Sequence, residues 1–178
     1  KFSLTKSISL KIRSGKGNKS FWIPNCAFKN PVVRNQFQGE KMNVKPAKVN
    51  PFEVEPIILS QRINYKLVDP TTVGSKNITL GMVVVEPGGI CEPGHDHVDQ
   101  EEVFFCVNGE GVVLIGDAHE EWVLKPYDAV FIPPHTYHNL KNASNMPLTV
   151  IWIQSPAGWV FDKHPDLKKL AEKGVKEN

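Results

Sequence analysis

The pattern of apolar and polar positions divides the chain into three zones. Residues 1–65 are rich in Lys, Asn, Pro and Gln, with structure breakers every few positions and only short apolar patches. This pattern predicts an extended arm with one or two short strands, which is part of the same domain as the zone that follows. Residues 66–156 alternate short apolar runs with Gly, Pro and Asn, and residues 157–178 are highly charged.

The middle zone predicts an all-β fold. Its apolar runs are short, rich in Val, Ile and Phe, and separated by turn residues at regular spacing, which is typical of an antiparallel sandwich or barrel. No part of this zone has the period of a helix. The predicted strands lie in NITLGMVVVE (77–86), EEVFFCV (101–107), GVVLIGD (111–117), EEWVLKP (120–126), DAVFIPP (128–134) and PLTVIWIQ (147–154).

The charged C-terminal zone predicts one short helix. Asp166 can lie near its start, Leu167 and Leu170 share one face, and Gly174 is placed to end it. Because so many of its side chains are charged, we expect this tail to lie on the surface.

Length, charge and cysteine content narrow the class of protein. A chain of 178 residues can bury one good core but is short for two full domains. Its 21 basic and 19 acidic side chains give a net charge of +2, which argues against a nucleic-acid-binding protein. No apolar run is long enough to span a membrane. Cys26, Cys91 and Cys106 are too few and scattered for a disulfide framework, which favours a reducing, cytoplasmic setting.

Side chains able to bind metal gather in GHDHVDQEEVFF (94–105). His95 and His97 are two residues apart, so an extended segment points both to one face. Glu102 begins the next apolar strand, and if it faces inward, Phe104 and Cys106 do so too. The carboxylate then lies at the lip of an apolar pocket, where an unpaired charge is costly and a metal ion would satisfy it.

His138 follows FIPPHTY (131–137), in which Pro133 and Pro134 stop a strand and can turn the chain back toward the same interior. With the three earlier side chains it makes a set of three nitrogens and one carboxylate, with room for water or substrate. This set suits one divalent ion among Mn, Fe, Co, Ni and Zn. Zinc usually takes four tetrahedral ligands, so an open octahedral site favours Mn or Fe.

These segments resemble the two motifs of the cupin superfamily. GICEPGHDHVDQEEVFFCVNG (89–109) is similar to the first motif, which is Gly, five residues, His-x-His, four residues, Glu, six residues, Gly, and every anchor is present. YDAVFIPPHTYHNLKN (127–142) resembles the second motif at Pro133, His138 and Asn142. Tyr127 and His135 stand where that motif has glycines, which predicts either a left-handed backbone or a different turn there.

The resemblance implies an antiparallel jelly-roll β-barrel, here with an extended N-terminal arm and a short C-terminal helix. The spacing to Gly109 favours Glu102 as the acidic ligand, although some cupins place the acid one residue closer, which makes Glu101 the rival. The implied metal ligands are His95, His97, Glu102 and His138.

Further residues are candidates for the wall of the pocket. Strand alternation places Phe104 and Cys106 on the inner face together with Glu102. Trp152 and Gln154 on the last strand are further candidates, although alternation leaves open which face of that strand is inward. Tyr137 and His135 lie at the turn of the second motif and are candidates for a proton donor or a substrate contact. For His135 a role as a surface turn residue is favoured over this, and for Tyr137 a packing role is an equal alternative.

The resemblance implies an enzyme that binds a small oxygen-bearing substrate, since similar proteins include dioxygenases, decarboxylases, lyases and sugar isomerases. Apolar pocket walls favour a dioxygenase or a related lyase acting on an apolar or aromatic substrate. The alternative is a non-catalytic protein that stores or senses a small ligand or metal. Small cupins commonly pair through their sheets, so we expect a homodimer in which the arm crosses to the second subunit or covers a sheet edge.

Overall fold

The computed structural model describes residues 44–173 and two strands near the N-terminus, β1 (Leu10–Arg13) and β2 (Asn18–Phe21). These two strands pair antiparallel, with Leu10 opposite Phe21. They belong to the first of two compact units into which the chain divides, Lys1–Glu40. The remainder of the predicted arm before residue 44, with its expected contacts to a sheet edge or a second subunit, lies outside the described residues.

The second unit, Lys41–Asn178, contains nine strands and two short α-helices among its described residues. All six predicted strands are present, β10 is additional, and β3 with most of β4 precedes residue 66. A short 3-10 turn spans Pro51–Glu53. The elements are β3 (Ile57–Leu59), β4 (Arg62–Val68), β5 (Thr79–Val85), β6 (Glu101–Asn108), β7 (Gly111–Ile115), β8 (Glu120–Leu124), β9 (Ala129–Ile132), β10 (His138–Lys141), β11 (Leu148–Ser155), α1 (Val160–Lys163) and α2 (Pro165–Glu172).

The nine strands form two antiparallel sheets, which confirms the predicted all-β fold. The larger sheet has the order β3-β4-β5-β11-β6-β9 and the smaller one has the order β10-β7-β8. Their inner faces share one apolar cluster, to which Phe104 and Val150 contribute from the larger sheet and Val113 and Leu140 from the smaller one. This arrangement is that of a jelly-roll sandwich.

The larger sheet also carries a second apolar cluster on its outer face. Tyr65, Leu67 and Met82 are buried there, beneath Val49 and Val54 from the segment that precedes β3. At β4, therefore, both faces of the sheet are covered. Both faces of β4 can therefore carry apolar residues, and such residues do not identify the face that points between the two sheets.

A glycine in β5 makes room for the largest side chain of the inner face. Gly81 is the register partner of Trp152 in β11, and a Cβ at position 81 would overlap the indole ring. Because the indole can lie flat over this glycine, it packs at the bottom of the barrel interior, where it is 4% exposed.

The C-terminal tail is only partly on the surface, which corrects the prediction. Helix α2 is present as predicted, but Trp159, Val160 and Phe161 are buried in the main core. Lys66 Nζ lies 2.9 Å from Asp162 Oδ2 and ties α1 to β4. The sequence pattern missed this because the apolar residues of the tail precede its charged run. Among the described residues, no helix has the length and apolar character needed to cross a membrane.

Candidate metal centre

Two histidines are brought together by backbone pairing between the loop before β6 and the start of β10. The N–H of His95 donates to the carbonyl of His138 at 3.1 Å, and the N–H of His138 donates to the carbonyl of His95 at 2.8 Å. A further bond from the N–H of Cys91 to the carbonyl of Leu140 continues the ladder. The loop is therefore extended here, and His95 and His97 project from one face of it.

The structure places all four sequence-predicted ligands in one cluster. One nitrogen or oxygen from each of His95, His97, Glu102 and His138 lies within 4.8 Å of the others. His97, Glu102 and His138 are at most 5% exposed. Glu101, the rival acid, is exposed because neighbouring residues of β6 point to opposite faces.

The carboxylate of Glu102 is the centre of this cluster. Its Oε2 accepts a hydrogen bond from His97 Nε2 at 2.9 Å and lies 2.8 Å from His138 Nε2, and its Oε1 accepts one from Gln154 Nε2 at 2.9 Å. Burial alone would raise the pKa of Glu102, but the two imidazoles hold this pKa well below its usual range. The carboxylate is therefore ionised at neutral pH.

The outer nitrogens of two rings set the orientation of the imidazoles. His138 Nδ1 lies 3.0 Å from the carbonyl of Thr136, and His95 Nδ1 lies 3.3 Å from the carbonyl of Pro93. A proton on each Nδ1 leaves the Nε2 lone pairs turned into the cluster, as in metal-ligating histidines.

His138 Nε2 provides a test of whether a cation fits this cluster. The atom is buried and has no hydrogen-bond partner, although Glu102 Oε2 is only 2.8 Å away. With Nδ1 protonated, a lone pair and a carboxylate would face each other across this gap, which is unfavourable without a positive charge. A divalent cation or a second proton on His138 would supply that charge.

Protonation of the two paired histidines responds to opposite influences. Burial, reinforced by the neighbouring His138, lowers the pKa of His95 from 6.5 to about 4. Burial also opposes a charge on His138, but the adjacent Glu102 carboxylate outweighs it and raises the pKa of that imidazole. His95 is thus neutral and ready to act as a ligand at pH 7.

A cavity of about 60 Å³ adjoins the cluster, and three of the four predicted wall residues line it: Phe104, Trp152 and Gln154. The prediction for Cys106 is wrong. Cys106 does face inward and is fully buried, but it lies roughly 13 Å along β6 from Glu102 and belongs to the packed core instead.

The structure does not bring either candidate at the turn of the second motif to the cavity. Tyr137 stacks on His119 with ring centroids 4.6 Å apart and packs against Gly94. His135 is exposed, and its backbone N–H donates to the carbonyl of His97. The backbone at position 135, rather than the imidazole, thus helps to hold the loop that carries His97.

The two positions that lack the motif's glycines keep the backbone of glycine. Tyr127 has φ of 75° and His135 has φ of 59°, both in the left-handed region. The turn is thus conserved in shape while its residue type differs, which resolves the two alternatives left by the sequence in favour of the left-handed backbone.

Several residues that line the cavity were not found from the sequence. Arg62 and Asn64 come from β4, and Trp159 and Phe161 come from the tail. The sequence of β4 gives little indication of this. Ile63 and Tyr65 alternate with Arg62 and Asn64, and apolar residues would ordinarily be assigned to the inner face. The cavity is consequently more polar than the predicted apolar pocket.

Comparison with known proteins agrees with the fold and the cluster. Residues 81–154 match the family model of the cupin domain. This segment is a cupin domain, as the two motifs predicted. The matched segment begins in β5, so β4 with Arg62 and Asn64 lies outside it.

The chain is similar to three known proteins in particular. It is 27% identical over 122 residues to the tetracenomycin polyketide synthase protein TcmJ of Streptomyces glaucescens, which covers 68% of the chain and 79% of that protein. It is 31% identical over 62 residues to an uncharacterized protein of Methanocaldococcus jannaschii, which covers 35% of the chain and 48% of that protein. The match thus spans about half the length of the archaeal relative.

The third similar protein is a solved enzyme structure. A mutant of Bacillus subtilis oxalate decarboxylase OxdC superposes with a TM-score of 0.56 and 25% identity, which covers 62% of the chain and 30% of that enzyme. A second structure of the same decarboxylase, with a TM-score of 0.57, comes from a study of its Mn(II) centres.

The contrast between the two paired histidines predicts their titration in metal-free protein. We expect His95 to stay neutral down to about pH 4 and the pKa of His138 to lie above 6.5. Long-range ¹H–¹⁵N NMR spectra recorded as a function of pH measure both. Glu102→Gln removes the carboxylate that favours the charged form of His138, so the pKa of His138 should fall in that variant. An imidazole of His95 that titrates at 6.5 or higher would contradict the arrangement.

Proposed function

We propose that this cupin binds one divalent metal ion through His95, His97, Glu102 and His138, and that it is an enzyme acting on a small oxygen-bearing molecule at that ion. One observation carries the proposal: a buried, ionised carboxylate faces an imidazole nitrogen that has no hydrogen-bond partner. Four protein ligands leave open positions on an octahedral ion, which favours Mn or Fe over a tetrahedral zinc site.

The similarity to oxalate decarboxylase supports both parts of this proposal. That enzyme is 25% identical over the matched region and has Mn(II) centres. A bound ion would supply Lewis-acid or redox chemistry to a substrate oxygen. Within the enzyme hypothesis, a decarboxylase or related lyase agrees best with the similarity, and a dioxygenase remains the runner-up.

The protein's own side chains would orient the ligands and exclude water. Gln154 donates to Glu102 and holds the carboxylate in place, while Trp159 and Phe161 cover the cavity. Among the described residues that line the cavity, Cys91 is the one further titratable side chain apart from the cluster and Arg62, and burial raises its pKa to about 11. A sugar isomerase would need a second acid or base beside the ion, so this composition argues against that alternative.

A non-catalytic protein that stores or senses a ligand is the remaining alternative. The two hypotheses differ in turnover rather than in metal content. Carbon dioxide release and dioxygen uptake, measured on the metal-loaded protein with a panel of small hydroxy acids, oxo acids and catechols, separate them. Binding without any turnover across the panel would favour the storage role.

A homodimer is part of the proposal, supported by an apolar patch on the outer face of β6 and β9. Phe105, Val107 and Phe131 are 38%, 42% and 55% exposed there, and β9 is the edge strand of the larger sheet. We expect light scattering to give twice the chain mass and Phe131→Glu to reduce it to the monomer. Met146→Glu changes an exposed turn residue and serves as the matched control. A monomeric mass for the unchanged protein would rule the dimer out.

The metal proposal predicts the content of protein purified without added metal. Elemental analysis should find about one Mn or Fe per chain. His138→Ala should lower metal affinity by at least about tenfold while leaving the circular dichroism spectrum unchanged, because a ligand is lost but little core volume. His135→Asn changes an exposed histidine three residues away, tolerates the left-handed backbone and should retain the metal. Full metal content in the His138→Ala variant would contradict the assignment of His138 as a ligand.

A further inference from the structure

β4 turns two polar side chains into the interior of the sandwich. Arg62 is 4% exposed and Asn64 is 6% exposed, and because they are two residues apart on a strand they share one face. Both line the cavity that His95, Glu102 and His138 also line. Inner positions of a sheet are normally apolar, so two adjacent polar ones need an explanation.

The hydrogen bonds of Arg62 hold its guanidinium in place without neutralising it. Nη1 donates to the carbonyl of Glu92 at 2.9 Å and to the carbonyl of Ser60 at 3.4 Å. Nε and Nη2 have no acceptor among the described residues. The ring of Phe161 lies with its centroid 6.0 Å from Cζ, which gives a modest cation–π contribution. One side of the guanidinium fork is thus fixed and the other is available.

Within the described part of the chain, the guanidinium of Arg62 forms no ion pair, although the nearby Glu92 favours its positive charge. No carboxylate there lies within 4.0 Å of the guanidinium. The side chain of Glu92 is exposed and accepts instead from Asn139 Nδ2 at 3.3 Å. Buried charges in proteins are normally paired, and arginine is the residue best shaped to bind a carboxylate through two parallel hydrogen bonds.

Asn64 and the size of the cavity also restrict the kind of ligand that can bind beside Arg62. The amide of Asn64 has no side-chain hydrogen-bond partner in residues 44–173, so it can donate to a ligand beside Arg62. A cavity of about 60 Å³ holds roughly four to six water-sized groups. This narrow space beside the cluster favours a small ligand over a sugar or an aromatic ring.

We propose that Arg62 and Asn64 bind the carboxylate of a small acid that carries a second oxygen function, such as a 2-hydroxy acid, a 2-oxo acid or a dicarboxylate. The second oxygen would then be directed toward His95 and His138, which line the same cavity. This part of the inference rests on the proposed metal centre, whereas the carboxylate site of Arg62 requires no metal.

The test compares lactate with its neutral analogue lactamide by isothermal titration calorimetry on the metal-loaded protein. Arg62→Met keeps the apolar stem and should weaken lactate binding by about tenfold or more, since it removes charge-assisted hydrogen bonds. Arg62→Lys keeps the charge and the fold but loses the planar fork, and it should also weaken lactate binding. Lactamide affinity should be the same in all three proteins.

Lys125→Met is the control for net charge. Lys125 is exposed in the turn after β8, and its substitution removes the same unit charge as Arg62→Met. It should leave the lactate affinity unchanged. Equal lactate affinity in the wild type and both Arg62 variants would overturn the proposal, as would a parallel loss of lactate and lactamide binding, which would assign Arg62 a purely structural role. If the purified protein holds no metal, the metal proposal fails separately. Lactate binding to the metal-free protein then tests the carboxylate site alone. The proposal requires that this binding still be weakened in the Arg62 variants.

Discussion

The burial of an ionised carboxylate is the constraint on which the rest of this structure depends. Glu102 is 3% exposed, yet the two imidazoles beside it keep its pKa low and so keep it charged. Such a charge is tolerated only where its oxygens are fully engaged. Gln154 donates to one oxygen and His97 to the other, and His138 Nε2 lies 2.8 Å from the oxygen that His97 contacts. These polar contacts, rather than apolar packing, define the inner end of the cavity.

The antiparallel sheets supply the precision that this cluster needs. Gln154 is the register partner of Glu102 across β11 and β6, so its amide reaches the carboxylate directly. The two bonds between His95 and His138 fix the loop against β10. On the open side, α1 covers the cavity and is anchored to β4 through Lys66 and Asp162. The positions of the predicted ligands are therefore fixed by strand pairing, which restricts their movement more than a free loop would.

Sequence patterns predicted the cluster because their spacing has a direct geometric meaning. Two histidines at i and i+2 share a face of an extended segment. The choice of Glu102 over Glu101 came from the spacing of the cupin motif and not from geometry. The role of β4 was not predictable in the same way. Its outer face is covered by Val49 and Val54, so apolar residues on that side looked like the core face and hid Arg62. Which face of a strand is inward depends on distant segments that local alternation does not reveal.

The most direct test of this account is X-ray absorption spectroscopy on protein purified without added metal. The account predicts one Mn or Fe per chain, bound by three imidazole nitrogens and one carboxylate oxygen at about 2.0–2.2 Å, with the remaining positions open to solvent. In His138→Ala the imidazole scattering should fall or the metal should be lost. A protein without stoichiometric metal, or a metal whose shell lacks multiple imidazoles, would contradict the central claim.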